Sequence, residues 1–178
     1  RGTIVLCSVL SLVVGGVEGA IASIVSFAQA NKRLPNPCNA TSGICTTPPP
    51  TVEFTDILQT KMDSWGQSYN YMPANELYTA GSDICGRKTT TLEVTDPSGA
   101  KFSDIAFIIW SNGPNTQNQT YNAALDPPHR AYDVGTPNIP VGTNLTYDDI
   151  VKWVTLKDLK LKLGCGNLRI VNNELPNS

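Results

Sequence analysis

Asp126, Asp133, Asp148 and Asp149, with Ser111 and Asn112, are spread along a polar stretch rich in Asn, Gly, Pro and Thr. Hard oxygen donors of this kind are what Ca²⁺ gathers in loops that supply about six to eight oxygens. Solvated loop acids are the other reading of the same residues. The one histidine, His129, lies in Asp126-Pro127-Pro128-His129-Arg130, with no Ser or Cys nucleophile motif beside it. Nucleophilic catalysis needs a base held between a nucleophile and an orienting acid. No enzymatic activity is therefore expected, and His129 reads as an exposed loop residue.

The cysteines point to oxidative cross-linking. Cys38, Cys45, Cys85 and Cys165 fall in a polar, Pro- and Gly-rich part of the chain, with no Cys-x-x-Cys pair among them. An even count in that setting favours two disulfides over a metal centre. Of the three connectivities, Cys38–Cys45 with Cys85–Cys165 is preferred, because it closes one short loop and ties the chain end back to the body. Cys7 lies in an apolar run and reads as a small apolar side chain. A net charge of -2 and the lack of a Lys/Arg cluster beyond Lys157, Lys160 and Lys162 give no footprint for nucleic acid.

Elements must hold these groups in place. From Ile4 to Ala30 there is no Lys, Arg or Pro, and Glu18 is the only charge. The run predicts one helix over residues 1–33, roughly 40 Å long, apolar on every side and buried in lipid or against other apolar helices. Gly15, Gly16 and Gly19 cost helix stability but let neighbouring helices come close. Glu18 needs a partner amine or a water-facing position. A cleaved signal peptide is the competing reading of this segment. Its apolar length and the lack of a small-residue cleavage site favour a retained helix.

Residues 34–165 read as one globular head, and 166–178 as an extended tail. The spacing predicts a short helix at Thr55–Met62 with Thr55 as N-cap, and a strand at Gln67–Met72. Thr89–Thr95 and Ile105–Trp110 are expected to pair as a hairpin across Asp96-Pro97-Ser98-Gly99, giving a three-stranded meander. Tyr147–Trp153 reads as a strand or a helical turn. Thr155–Leu163 reads as a helix with Asp158 near its start, Lys160 and Lys162 near its end, and Gly164 as its cap. The fold class is α+β: a long apolar helix on a small antiparallel sheet, with irregular, disulfide-pinned loops. Trp65, Tyr69, Trp110 and Trp153 are expected in the core. Asn39, Asn118 and Asn144 fit the N-glycosylation acceptor pattern, which marks exposed loops.

Four stretches in order carry a family likeness. They are Ala30-Asn31-Lys32-Arg33-Leu34-Pro35, Asp63-Ser64-Trp65-Gly66-Gln67-Ser68-Tyr69-Asn70-Tyr71, Phe107-Ile108-Ile109-Trp110-Ser111-Asn112-Gly113 and Asp148-Asp149-Ile150-Val151-Lys152-Trp153-Val154. Following an apolar N-terminal helix, this order resembles the bacterial type IV pilin and type II secretion pseudopilin superfamily, over most of residues 17–165. The resemblance implies a filament subunit kept in the inner membrane as a single-pass protein and then moved into a periplasmic or extracellular fibre. Its partners would be identical or related subunits. It also implies a calcium site between a Ser-x-Gly stretch and an Asp-Ile stretch, which brings Ser111, Asp148 and Asp149 forward as ligands. Two departures stand out: Cys7 occupies the place of the family's Glu, and Pro114-Asn115-Thr116 replaces an acidic, Gly-rich piece. The alternative function is a membrane-anchored extracytoplasmic binding module that uses the 111–147 loop.

Overall fold

The computed structural model describes residues 2–37, 53–79, 81–96, 98–121 and 147–166, with the side chains of the first helix described from Gly15 onward. Within these residues the chain is a mixed helix and sheet structure. Helix α1 spans Gly2–Asn31, α2 Glu53–Ile57, α3 Asn75–Tyr78 and α4 Leu156–Lys162. Strands β1 (Asn70–Pro73), β4 (Ile105–Ser111) and β5 (Ile150–Thr155) form an antiparallel sheet in the order β1-β4-β5, while β2 (Val94–Thr95) and β3 (Lys101–Phe102) pair separately. The Cys38–Cys45 pair, Asp126, His129, Asp133, Asn39, Asn144 and the tail beyond residue 166 lie outside the described residues.

β4 is the axis of the sheet because its sequence can be buried on both faces. All seven of its residues are buried, as a run of Ile, Ala, Phe and Trp requires when a strand has neighbours on both edges. Its register sets Asn70 opposite Trp110 on one side and Ile150 opposite Ser111 on the other. α1 lies against β4 and β5. It buries Val17, Ala20, Ile21, Ile24 and Ala28, and each of the larger of these side chains contributes about 2 kcal/mol through removal from water. Phe54 of α2 stacks on Tyr71 with ring centroids 4.4 Å apart, and the Tyr71 hydroxyl donates to Pro35 O at 3.1 Å. The chain leaving α1 is thereby fastened to β1.

Several expectations are corrected. The predicted hairpin between 89–95 and 105–110 does not form. Asp96 Oδ1 accepts from Ser98 N, Ser98 Oγ and Ala100 N, so the turn closes at once onto β3. Asp104 then takes φ 55, and the chain leaves that hairpin to enter the main sheet as β4. Local turn chemistry is legible, but the non-local pairing of β4 with β1 and β5 outweighs simple adjacency. α2 ends at Ile57 rather than Met62, because Met62 bridges to Ser68 in extended backbone. Residues 150–155 form a strand, which resolves the choice between strand and turn. Trp110 and Tyr69 are buried, whereas Trp65 and Trp153 are only partly covered.

α1 departs from the expected all-round apolar rod in its described half. Glu18, Gly19, Ala22, Ser26 and Gln29 are exposed, opposite the buried face. Glu18 faces water with Lys152 Nζ 4.0 Å from its carboxylate, an exposed pair worth roughly 0–1 kcal/mol. Among the described residues, no helix is long and apolar enough to cross a membrane. α4 follows its sequence signals: Thr155 Oγ1 accepts from Asp158 N at 3.1 Å, Leu156 and Leu159 are buried, and Gly164 takes φ 76.

Candidate functional site

Two places bring predicted residues together. The first is where the strand β5 begins. Asp149 is fully buried there, and its Oδ2 accepts three bonds: from Gln119 N at 2.9 Å, Thr120 N at 2.8 Å and Thr120 Oγ1 at 2.7 Å. Asp148 Oδ2 accepts from Asn115 N at 2.9 Å, and its own N–H donates to Gln119 Oε1 at 2.8 Å. The two carboxylates thus strap the 113–120 segment onto the sheet. Gly113 passes so close to Asp148, at φ 69, that a Cβ there would collide with the Asp148 carbonyl. Only glycine fits this crossing.

Ser111 is placed differently from expectation. Its hydroxyl donates to Asp63 Oδ2 at 2.6 Å and accepts from Gly113 N at 3.2 Å. Asp63, read from sequence only as a turn residue, is buried and also accepts from Trp65 N and Gln67 N through Oδ1. Ser111 is therefore spent on a structural bond. Asn112 likewise accepts from Asn70 Nδ2 at 2.7 Å. Asp148 Oδ1 and Asp149 Oδ1, in contrast, are buried without a hydrogen-bond partner. Such oxygens are costly to leave bare. Among the described residues no group of three or more His, Cys, Asp or Glu side chains gathers. Any cation here would rest on these two oxygens plus carbonyls or water.

Burial pushes the Asp149 carboxyl up to about 7, against the lowering effect of its bonds from Thr120 and Gln119. Burial likewise raises Asp148, partly offset by the Asn115 bond. Asn118, the one glycosylation-pattern Asn described, is engaged internally: its Oδ1 accepts from Trp110 Nε1 at 3.2 Å and Tyr121 N at 3.1 Å.

The second place is the glycine-bearing stretch of α1. Gly15 and Gly19 are exposed, and a Cβ at either would meet nothing within 4 Å. Gly16 points inward, where a Cβ would collide with the Tyr69 phenol oxygen. The three glycines look alike in sequence, yet Gly16 seats the helix on its own head while Gly15 and Gly19 leave a helix face open. At the far end of α1, Cys85 and Cys165 are joined by a disulfide with Cα atoms 5.4 Å apart. The Gln29 side chain donates to Lys162 O, and Lys160 Nζ donates to Arg87 O. These bonds fix α4 between α1 and the 79–89 segment.

No protein-family model matches the chain, and no curated protein or solved structure matches it either.

Proposed function

We propose that this chain is a structural subunit of a type IV pilus-like or pseudopilus filament, assembling with identical or related copies through α1. The observation that carries the reading is the two-sided character of α1: one face docks on the head, while Gly15 and Gly19 stay open beside a stretch, residues 3–14, that has no charged residue. An uncharged helix segment of this kind must be covered, and exposed small residues four apart allow close helix contact. In this reading the helix is held in the inner membrane and then moves into a periplasmic or extracellular fibre. Lipid already shields the apolar side chains, so packing quality rather than hydrophobic burial decides the transfer. The protein has no catalytic role.

Electron microscopy of the purified full chain after detergent removal tests this. Ordered fibres with α1 in their core are the expected result. Single particles at every concentration, with α1 still coated by detergent, would overturn it.

A second reading is favoured by the two bare carboxylate oxygens: the junction between the 111–120 segment and the start of β5 holds a hard divalent cation through Asp148 and Asp149. The expected result is that millimolar Ca²⁺ raises the melting temperature at pH 7.5 by a few degrees, and that Asp149→Asn abolishes the rise. An unchanged melting curve with Ca²⁺ would remove this reading.

A further inference from the structure

The two sulfurs of the Cys85–Cys165 bond are not equally reachable: Cys85 is exposed and Cys165 half-buried. A recess of about 180 Å³ opens beside Cys85, between Ala28 and Lys32 at the end of α1 and Leu163 after α4. A second recess is lined by Gly86, Arg87, Lys88 and Thr89, and Asp83 borders both. Asp83 is the one carboxylate in either lining, and its Oδ1 accepts from Gly86 N at 3.0 Å. Against it stand Lys32, Arg87 and Lys88 in those walls, together with Lys160, whose Nζ donates to Arg87 O. Lys160 O also accepts from Cys165 N, so Lys160 bonds to both cysteine-bearing segments.

Part of this charge has an internal use. Both α1 and α4 end here, and Lys32 Nζ donates to Gln29 O at 3.0 Å, the service a cation gives at a helix C-terminus. Arg87 and Lys88 belong to no helix, and among the described residues neither pairs with a carboxylate. They leave a surplus of positive charge within three residues of an exposed sulfur. In a chain of net charge -2, a local surplus of the opposite sign draws small anions to one place.

We infer that Cys85 is a site of reversible thiol exchange selective for small anionic thiols, those that carry a carboxylate or sulfonate near the sulfur. The incoming thiolate attacks Cys85 Sγ, the sulfur that solvent reaches. A bond forms between these two sulfurs, the bond to Cys165 Sγ breaks, and its electron pair stays on Cys165 Sγ as a thiolate. The step consumes no separate oxidant or reductant, and attack by Cys165 on the mixed disulfide reverses it. Arg87 and Lys88 hold the anionic group of the thiol during attack. α4 stays seated through buried Leu156 and Leu159 and through the Gln29 bond to Lys162 O. Exchange therefore unties one covalent link and places a negative group on a basic surface without dismantling the fold. The inference is independent of the assembly reading.

The full chain at low ionic strength is treated with 2-mercaptoethanesulfonate, 2-mercaptoethanol or cysteamine at equal thiolate concentration. Each initial rate is divided by that thiol's rate with an uncharged small disulfide, which removes differences in nucleophilicity. Trypsin places Cys85 in the 62–87 peptide and Cys165 in the 163–169 peptide, apart from the other cysteines, so mass spectrometry after acid quenching reads each sulfur separately. The sulfonate should react at least about fivefold faster than cysteamine, with 2-mercaptoethanol between them, and salt at about 0.5 M should shrink that ratio below about twofold. The adduct should sit on Cys85 with Cys165 free. An Arg87→Gln, Lys88→Gln chain should lose at least about half of the ratio while its melting temperature stays unchanged. Equal normalised rates for the three thiols, a preference that survives high salt, or an adduct carried mainly by Cys165 would overturn the inference.

Discussion

A chain carrying Cys85→Ser together with Cys165→Ser is expected to lose about 4 kcal/mol of stability. The bond joins residues 80 apart in sequence, and closing a loop of that length removes a large share of the unfolded chain's freedom. The native contacts around the bond should survive its loss, because α4 is held independently: Leu156 and Leu159 are buried, and Thr155 caps the first turn. The variant should therefore keep its helix content and its near-native spectrum while its urea midpoint falls steeply. Cys85 is exposed, so a strong reductant should reach the wild-type bond and reproduce the shift. A loss below about 1 kcal/mol would mean that the unfolded chain is already restrained by other means. This restraint supplements a core of modest size.

The same disulfide shows what the sequence can and cannot convey. The pairing of Cys85 with Cys165 is readable because the polar context and an even count leave few options. Thr155, Asp158 and Gly164 likewise announce α4, since capping and termination are decided within a few residues. β4 is legible as a central strand from its unbroken apolar run. Its partners are not, because strand pairing is settled by contacts far apart in sequence and the Asp96 turn looks the same whichever strand follows it. The hydrogen bond that Ser111 makes is illegible for a similar reason. Its true partner, Asp63, stands 48 residues away, and no local pattern links a turn aspartate to a strand-end serine. Gly15, Gly16 and Gly19 form a single cluster in the sequence, but helix geometry places Gly16 over Tyr69 and turns the other two outward. One residue is seated against the head and two are open, a division that depends on the rotation of α1 on the sheet.

In the metal-free protein, stability should fall as pH rises from about 4 to about 7, and Asp149 should be the main cause. Its carboxyl is raised from 3.8 to about 7 by burial. Between those values the folded protein keeps a proton that the unfolded chain has released, so each step up in pH favours unfolding. The sign is opposite to that of an ordinary salt-bridged aspartate. Three pH units correspond to roughly 4 kcal/mol at most. Asp148, raised in the same direction, adds to the slope. Asp96, lowered chiefly by its Ser98 hydroxyl bond, has the opposite sign but acts below pH 3.8, outside this window. The geometry explains the direction: Oδ2 is saturated by three donors, while Oδ1 is buried with none, so the charged form has no way to spread its charge. Asp149→Asn isolates the effect. The amide oxygen can still accept from Gln119 and Thr120 but cannot ionise. The variant should match or trail wild type near pH 5 and exceed it near pH 8, which denaturant melts at the two pH values would measure. Parallel curves across that range would show that the Asp149 charge is compensated in the folded state. A cation at Oδ1 would compensate it in that way, so added Ca²⁺ should flatten the wild-type slope and leave the Asn variant unchanged.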